Sequence, residues 1–430
     1  MKTGIYMKLD KKLIVTGIIA CVTLIIVVSI IVIAAIIKPN DDPVEQPEEE
    51  SYKDTSILDE FDEFAGIWIA SVFNIDFPSK ADLTKDELKA ELDSIVNATE
   101  EAGLNTIFFQ VRPEADALYE SEIFPVSRYM SSTGELKLDA LEYIIYAAHK
   151  KGIAVHAWVN PLRVSSTNIT LDDLRDGHPA KENPDWVVKY ADGKMYFDAG
   201  NPEVRELVVK GVKEIIENYN VDGIVFDDYF YPNPVYDTSS GKSEIVPFDD
   251  ASSYAKYGGD ADLGDWRREN INSMIKAVYT AVKEKGEKCL FGVSPFGIWK
   301  NGYGDESGSL SRGSESYSAF YCDTVAWIKG GYVDYIAPQI YWSKDEKAAP
   351  YNELCDWWNM IVDGTGVRLL ISHAAYRYED GWVEPEGIMS EQVTYARDKN
   401  NYRGSIYYGY YEVKNNIKGI KEEIKGLYKK

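Results

Sequence analysis

From about residue 61 onward, short apolar runs alternate with helical stretches eight times, and few architectures accommodate that rhythm. An apolar run followed by an amphipathic helix is the βα unit, whose parallel strands have to be covered by helices. The expected strands are Ile67–Val72, Thr106–Val111, Ile153–Val159, Gly223–Phe226, Leu290–Val293, Tyr335–Pro338, Leu369–Ser372 and Ser405–Tyr408. End signals frame the helices between them. Thr84 with Glu87 spells a capping box closed by Gly103, and Asn201-Pro202 reads as an N-cap and first-turn proline. Gly152 and Gly286 follow two further helices, and Ile417–Tyr428 reads as the closing one. The expected fold class is α/β, a (β/α)8 TIM-type barrel preceded by one N-terminal transmembrane helix. Periodicity alone also permits an open doubly wound sheet, but no Gly-rich phosphate loop follows the first strand.

Four segments are expected. Residues 1–12 are a basic cytoplasmic segment. Residues 13–37 are an uncharged apolar run of 25, long enough to cross a ~30 Å hydrocarbon core. Lys8, Lys11 and Lys12 precede the run while Asp41, Asp42 and Glu45 follow it, which keeps the amino end inside and places the rest outside the cell. A cleaved signal peptide ending near Ala34-Ala35, or lipidation at Cys21, are the competing readings. Residues 38–60 carry nine acidic side chains against two lysines and read as an extended spacer. Residues 61–430 form the globular domain.

A net charge of −24 repels phosphate backbones and argues against nucleic-acid partners. The 31 tyrosines and 10 tryptophans fit a surface that stacks on sugars, although much of this set has to be core. No P-loop, no nucleophile elbow and no His-Glu-x-x-His pair occurs among four histidines, so no cofactor and no metal are expected. Cys289, Cys322 and Cys355 are an odd set that implies no disulfide framework.

In a barrel the chemistry sits at the carboxyl ends of strands. The fourth strand runs straight into Asp227-Asp228-Tyr229-Phe230-Tyr231. Alternation puts Val225, Asp227 and Tyr229 on one face and Asp228 on the other, and crowding is expected to raise one of the two pKa values. The alternative is a structural pair held by Arg267 or backbone amides. The second strand ends in Gln110-Val-Arg112-Pro113-Glu114-Ala-Asp116, where Arg112 either holds a substrate carboxylate or balances the acids. The third brings His156, Trp158 and Asn160, with Asn160 the expected hydroxyl or acetamido binder. Trp299, Gln339, Tyr341 and Trp342 follow later strands and supply amides, hydroxyls and aromatic faces.

Taken together, these stretches resemble the bacterial glycosyl-hydrolase-like family ten. The match begins with Gly66-Ile-Trp68 and Asn74-Ile-Asp76-Phe-Pro78, then Gln110-Val-Arg112-Pro113 and His156-Ala-Trp158-Val-Asn160-Pro161. It continues through Asp222 to Pro232, Trp266 to Asn270, Phe291 to Trp299 and Asp334 to Trp342, spanning residues 61–411. The resemblance implies a (β/α)8 barrel that hydrolyses glycosidic bonds, in a family that includes a division-associated peptidoglycan glycosidase. The catalytic candidates are Asp227, with Asp228 or a second-strand carboxyl as its partner acid, Asp116 being preferred over Glu114 because it falls in the matching motif. Trp68, Asn74, Asp76, Gln110, Arg112, His156, Trp158, Asn160, Tyr229, Tyr231, Trp299, Gln339, Tyr341 and Trp342 are the substrate contacts expected from the strand ends and the matching motifs. The partner is then a polysaccharide, and the membrane through the N-terminal helix. Ala65 and His373 depart from the family pattern. The fourth strand is also similar to the chitinase-type Asp-Gly-x-Asp-x-Asp-x-Glu, with Val225 and Tyr229 replacing two of its acids. A glycan receptor without catalysis and a hydrolase for foreign polysaccharide remain the alternatives.

Overall fold

The computed structural model describes residues 61–286, 288–302, 307–379 and 387–429. The basic segment, the apolar run and the acidic spacer lie outside the described residues. Among the described residues, no helix is long and apolar enough to cross a membrane.

Eight strands, β1 (Phe64–Ile69), β2 (Thr106–Arg112), β3 (Ala154–Val159), β4 (Gly223–Phe226), β5 (Leu290–Val293), β6 (Tyr335–Ile336), β7 (Arg368–Ala374) and β8 (Tyr402–Tyr408), close into one barrel in chain order. Every neighbouring pair is parallel. The main helices of the successive units are α1 (Lys85–Glu101), α2 (Ala140–His149), α3 (Pro202–Asn218), α4 (Leu263–Lys285), α5 (Thr324–Gly330), α6 (Tyr351–Val362), α7 (Ile388–Arg397) and α8 (Ile420–Tyr428). Local chemistry places their ends. The Thr84 hydroxyl accepts from the Glu87 amide while the Glu87 carboxylate accepts from the Thr84 amide at 2.8 Å. Asn201 caps α3 by accepting from the Glu203 amide at 3.0 Å, with Pro202 in the first turn.

β1 ends earlier than the sequence suggests. The amides of Ser71 and Val72 turn away from the ladder to donate to Gln110 Oε1, each at 2.9 Å. At the amino ends of the strands, Asp222 accepts the Val155 amide at 2.8 Å and Asp334 accepts the Phe291 amide at 2.7 Å. Asp222, the first acid of the fourth-strand motif, is therefore a register pin at the face opposite the expected chemistry.

Strand alternation separates two apolar sets. Outward residues such as Ile67, Phe109, Val155, Phe226 and Phe291 pack under the helices, while Trp68, Phe108, Trp158, Val225, Leu290, Tyr335 and Ile406 fill the barrel. Each fully buried large side chain contributes about 1.5–3 kcal/mol relative to exposure. The interior works by pairing large residues with glycine on the neighbouring strand. A Cβ on Gly66 would lie 2.4 Å from Phe108, one on Gly223 2.5 Å from His156, and one on Gly292 2.1 Å from Tyr335. Tyr335 cannot yield, since its hydroxyl bonds His156 Nδ1 at 2.8 Å and its ring is fully buried. Gly292→Ala is expected to destabilise the barrel by about 1–3 kcal/mol through overpacking, read from the urea midpoint. An unchanged midpoint would contradict this packing.

Candidate active site

β4 delivers Asp227. Gly223 and Val225 point inward, so Asp227 enters the barrel mouth one layer above Val225, 3% exposed. Two side-chain donors fix its carboxylate. Trp158 Nε1 donates to Oδ2 at 2.9 Å, and Asn160 Nδ2 donates to Oδ1 at 3.0 Å and Oδ2 at 3.2 Å. Burial raises the Asp227 pKa, opposed by the Arg163 guanidinium and these hydrogen bonds. Asp228 is also buried. Burial and the Asp227 charge push its carboxyl up from 3.8 to about 7, with Gln339 and Arg163 pulling the other way. Arg267 is not their partner; it pairs with Asp250 at 2.6 Å.

Asp227 lies in a cleft of about 550 Å3 at the carboxyl face of the barrel. Trp68, Gln110, Trp158, Tyr229, Gln339 and Tyr341 line the same cleft. Trp68 and Trp158 meet edge to face at 5.0 Å, and Trp68 Nε1 donates to Ser372 Oγ at 2.9 Å. Ser372 also bonds the Tyr341 hydroxyl at 3.0 Å. Tyr341 stacks on Tyr408 with centroids 6.4 Å apart, and Tyr376 packs edge-on against both. Arg163 lies over the Tyr229 ring at 4.5 Å. The result is a wall of apolar plates above one fixed carboxylate, which suits the alternating polar and apolar faces of a sugar ring.

The remaining expected residues are not among those lining the cleft. Arg112 is turned outward by a β-bulge. The β2–β3 register slips between Gln110 and Arg112, so Arg112 pairs with the outward residue Val159. Its guanidinium lies 3.7 Å over the Phe124 ring, fully buried. Asp116 is buried nearby, and burial together with Glu114 raises its carboxyl to about 7. His156 sits lower in the barrel, and burial lowers its pKa to about 4. Asn160, expected to bind substrate, is 1% exposed and spends its amide on Asp227 and its oxygen on the Arg163 amide at 3.0 Å. Asn74 donates to the Pro78 and Tyr129 carbonyls, and Asp76 accepts the Ala70 amide at 2.8 Å. Tyr231 packs on Phe248, Trp299 stacks on Trp357, and Trp342 meets Phe296. His373 points away from the barrel interior, between Gln392 and Ser405, so the seventh strand presents Ser372 instead.

Several lining residues came from outside the strand ends. A hairpin between β3 and α3, whose strands are Val187–Lys189 and Met195–Phe197, brings Asp192, Lys194 and Tyr196 to the cleft. Asp192 accepts the Tyr196 hydroxyl at 2.8 Å and pairs with Lys194 at 3.3 Å. Only the fold places these beside Asp227; no local motif marks them. Arg163, by contrast, stands only three residues past Asn160, a proximity in sequence that could have marked it. Asn160→Ala is expected to lower kcat about 10–100-fold with a smaller change in KM, because Asp227 loses one of its two side-chain donors. Steady-state kinetics check this, and an unaltered kcat would show that the donor is dispensable.

The closed parallel barrel, with a buried carboxylate on an aromatic-walled cleft, fits an enzyme of the glycoside hydrolase class. The chain belongs to the glycosyl hydrolase-like 10 family, whose description matches residues 63–385. It is 37% identical over 371 residues to Glycosyl hydrolase YngK of Bacillus subtilis, covering 84% of this chain and 71% of that protein. It is also 37% identical over 353 residues to Glycosyl hydrolase DigH of Escherichia coli K12, covering 76% of this chain and 77% of that one. Among solved structures, the fold is shared with the PgaB (BpsB) glycoside hydrolase domain from Bordetella bronchiseptica, with a TM-score of 0.51 and 12% identity over 85% of this chain and 99% of that one. The beta-amylase catalytic domain from Paenibacillus polymyxa gives a TM-score of 0.53 and 11% identity, covering 86% of this chain and all of that one, 100%. The family implies a polysaccharide substrate.

Proposed function

We propose that the protein is a membrane-anchored, extracellular glycoside hydrolase that cleaves peptidoglycan glycan strands, with its chemistry centred on Asp227. The observation that carries this reading is the Asp227 carboxylate, held by Trp158 and Asn160 on the wall of the aromatic cleft. Glycoside hydrolysis passes through an oxocarbenium-like transition state, which a fixed carboxylate stabilises as nucleophile, base or counter-charge. Asp228 is the proton-holding member of the pair, since its carboxyl stays protonated up to about pH 7. Neither Asp228 nor Asp116 lines the cleft; Asp228 is favoured as donor because it adjoins Asp227 and feels its charge, whereas Asp116 is crowded by Glu114. A cell-wall substrate fits the apolar run at residues 13–37 and the acidic spacer behind it, which together would tether the barrel outside the membrane. External protease added to intact cells is then expected to remove the domain, and survival of the full chain would argue for another location. The substrate is tested by incubating glycan strands with wild type and the Asp227→Asn variant, as set out at the end of the Discussion.

A further inference from the structure

The turn after β1 holds an arrangement that catalysis at Asp227 does not use. Phe73 and Asn74 both have left-handed backbones, with φ of 55° and 54°. That conformation costs a bulky L-residue about 1–2 kcal/mol, so surrounding contacts have to enforce it. They do. Gln110 Oε1 takes the two amides before Phe73, and Asn74 Nδ2 donates to Pro78 O at 2.7 Å and Tyr129 O at 2.9 Å. The ring presented by this clamp is 54% exposed, and Ile75 beside it is 51% exposed. Tyr129 supports the ring edge-on, with centroids 6.1 Å apart. Phe73, Ile75 and Val72 line the same cleft as Asp227. A large apolar side chain held in solvent by a strained backbone gains nothing for the fold, since it buries little area.

We propose that Phe73, flanked by Ile75, is a sugar-stacking platform that binds a pyranose unit of the polymer other than the one over Asp227. The occupant follows from continuity with the cleft. The plates Trp68, Trp158 and Tyr341 lie around Asp227, and the Phe73 rim extends that apolar surface. The apolar face of a pyranose matches an exposed phenyl ring in size and polarity. This proposal rests on the glycan-hydrolase reading above and adds to it a binding subsite.

The test compares the full-length wild type with Phe73→Gly and Phe73→Tyr on peptidoglycan glycan strands stripped of stem peptides. Glycine accepts the left-handed backbone without cost. Phe73→Gly is therefore expected to keep or raise Tm while KM rises about 5–10-fold and kcat falls by a smaller factor. Phe73→Tyr, which keeps the plate, is expected to retain the wild-type KM. A wild-type KM in Phe73→Gly would overturn the platform, as would a rise in KM with an equally large fall in kcat and a lower Tm, which marks a structural role. A wild type inert toward the strands would overturn the substrate reading and the platform's ligand together. An active wild type with an indifferent Phe73→Gly overturns the platform alone.

Discussion

Asp227→Asn is expected to reduce glycan hydrolysis by more than about 100-fold while leaving the barrel folded. The substitution keeps the side-chain shape and one acceptor oxygen. Trp158 Nε1 or Asn160 Nδ2 can still bond that oxygen, although the new amide then faces the Asn160 amide group. What disappears is the negative charge, and with it any nucleophile, base or electrostatic stabiliser at the reacting carbon. Circular dichroism and the urea midpoint report the fold, and product release reports the rate. A folded variant with near-normal turnover would remove Asp227 from the mechanism.

The second large effect is expected at Asp228. Its carboxyl titrates at about 7 in the folded protein against an ordinary value of 3.8. As proton donor it is active below that pH, so the rate of the wild type is expected to fall as pH rises through about 7. Asp228→Asn removes the proton and is expected to cost about 100–10,000-fold in rate, with the alkaline limb lost from what remains. On stability the substitution has the opposite effect. Between pH 3.8 and about 7 the folded state holds a proton at Asp228 that the unfolded chain has released. The contribution of this group to stability therefore falls as pH rises through that window. Asp228→Asn is expected to match the wild-type Tm near pH 4 and to exceed it by about 2–6 °C above pH 7. A variant less stable than wild type at alkaline pH would show that Asp228 is held as a charged structural partner.

Much of this barrel was legible because each level of the sequence agreed. β4 and β5 fall on the very residues where Gly223–Phe226 and Leu290–Val293 break the helical pattern. Their inward residues follow from alternation alone, which is how Asp227 could be placed in the mouth. β6 is shorter than its apolar run, because Pro338 has no amide to give the ladder and the run turns toward the cleft at Gln339. Arg112 could not be oriented, since a single bulged residue reverses the face of everything after it and leaves no mark in the sequence. Asn160 was read as a substrate contact because an amide at a strand end suits hydroxyls; its neighbour in space, Asp227, lies 67 residues away and claims that amide first. Asp192 and Lys194 from one hairpin, Tyr376 from the turn after β7 and Tyr408 from the end of β8 meet at the cleft, so their convergence belongs to the closed barrel and not to any motif.

The central claim is a cell-wall glycosidase working through Asp227, and one measurement addresses it directly. The domain 61–430 and its Asp227→Asn variant are incubated with peptidoglycan glycan strands, intact and amidase-stripped, and the products are read by mass spectrometry. The account predicts muro-oligosaccharides from the wild type only, released chiefly from stripped strands. Equal products from both proteins would contradict the role of Asp227. No product from either would contradict the substrate, leaving a glycan receptor or a hydrolase for another polysaccharide.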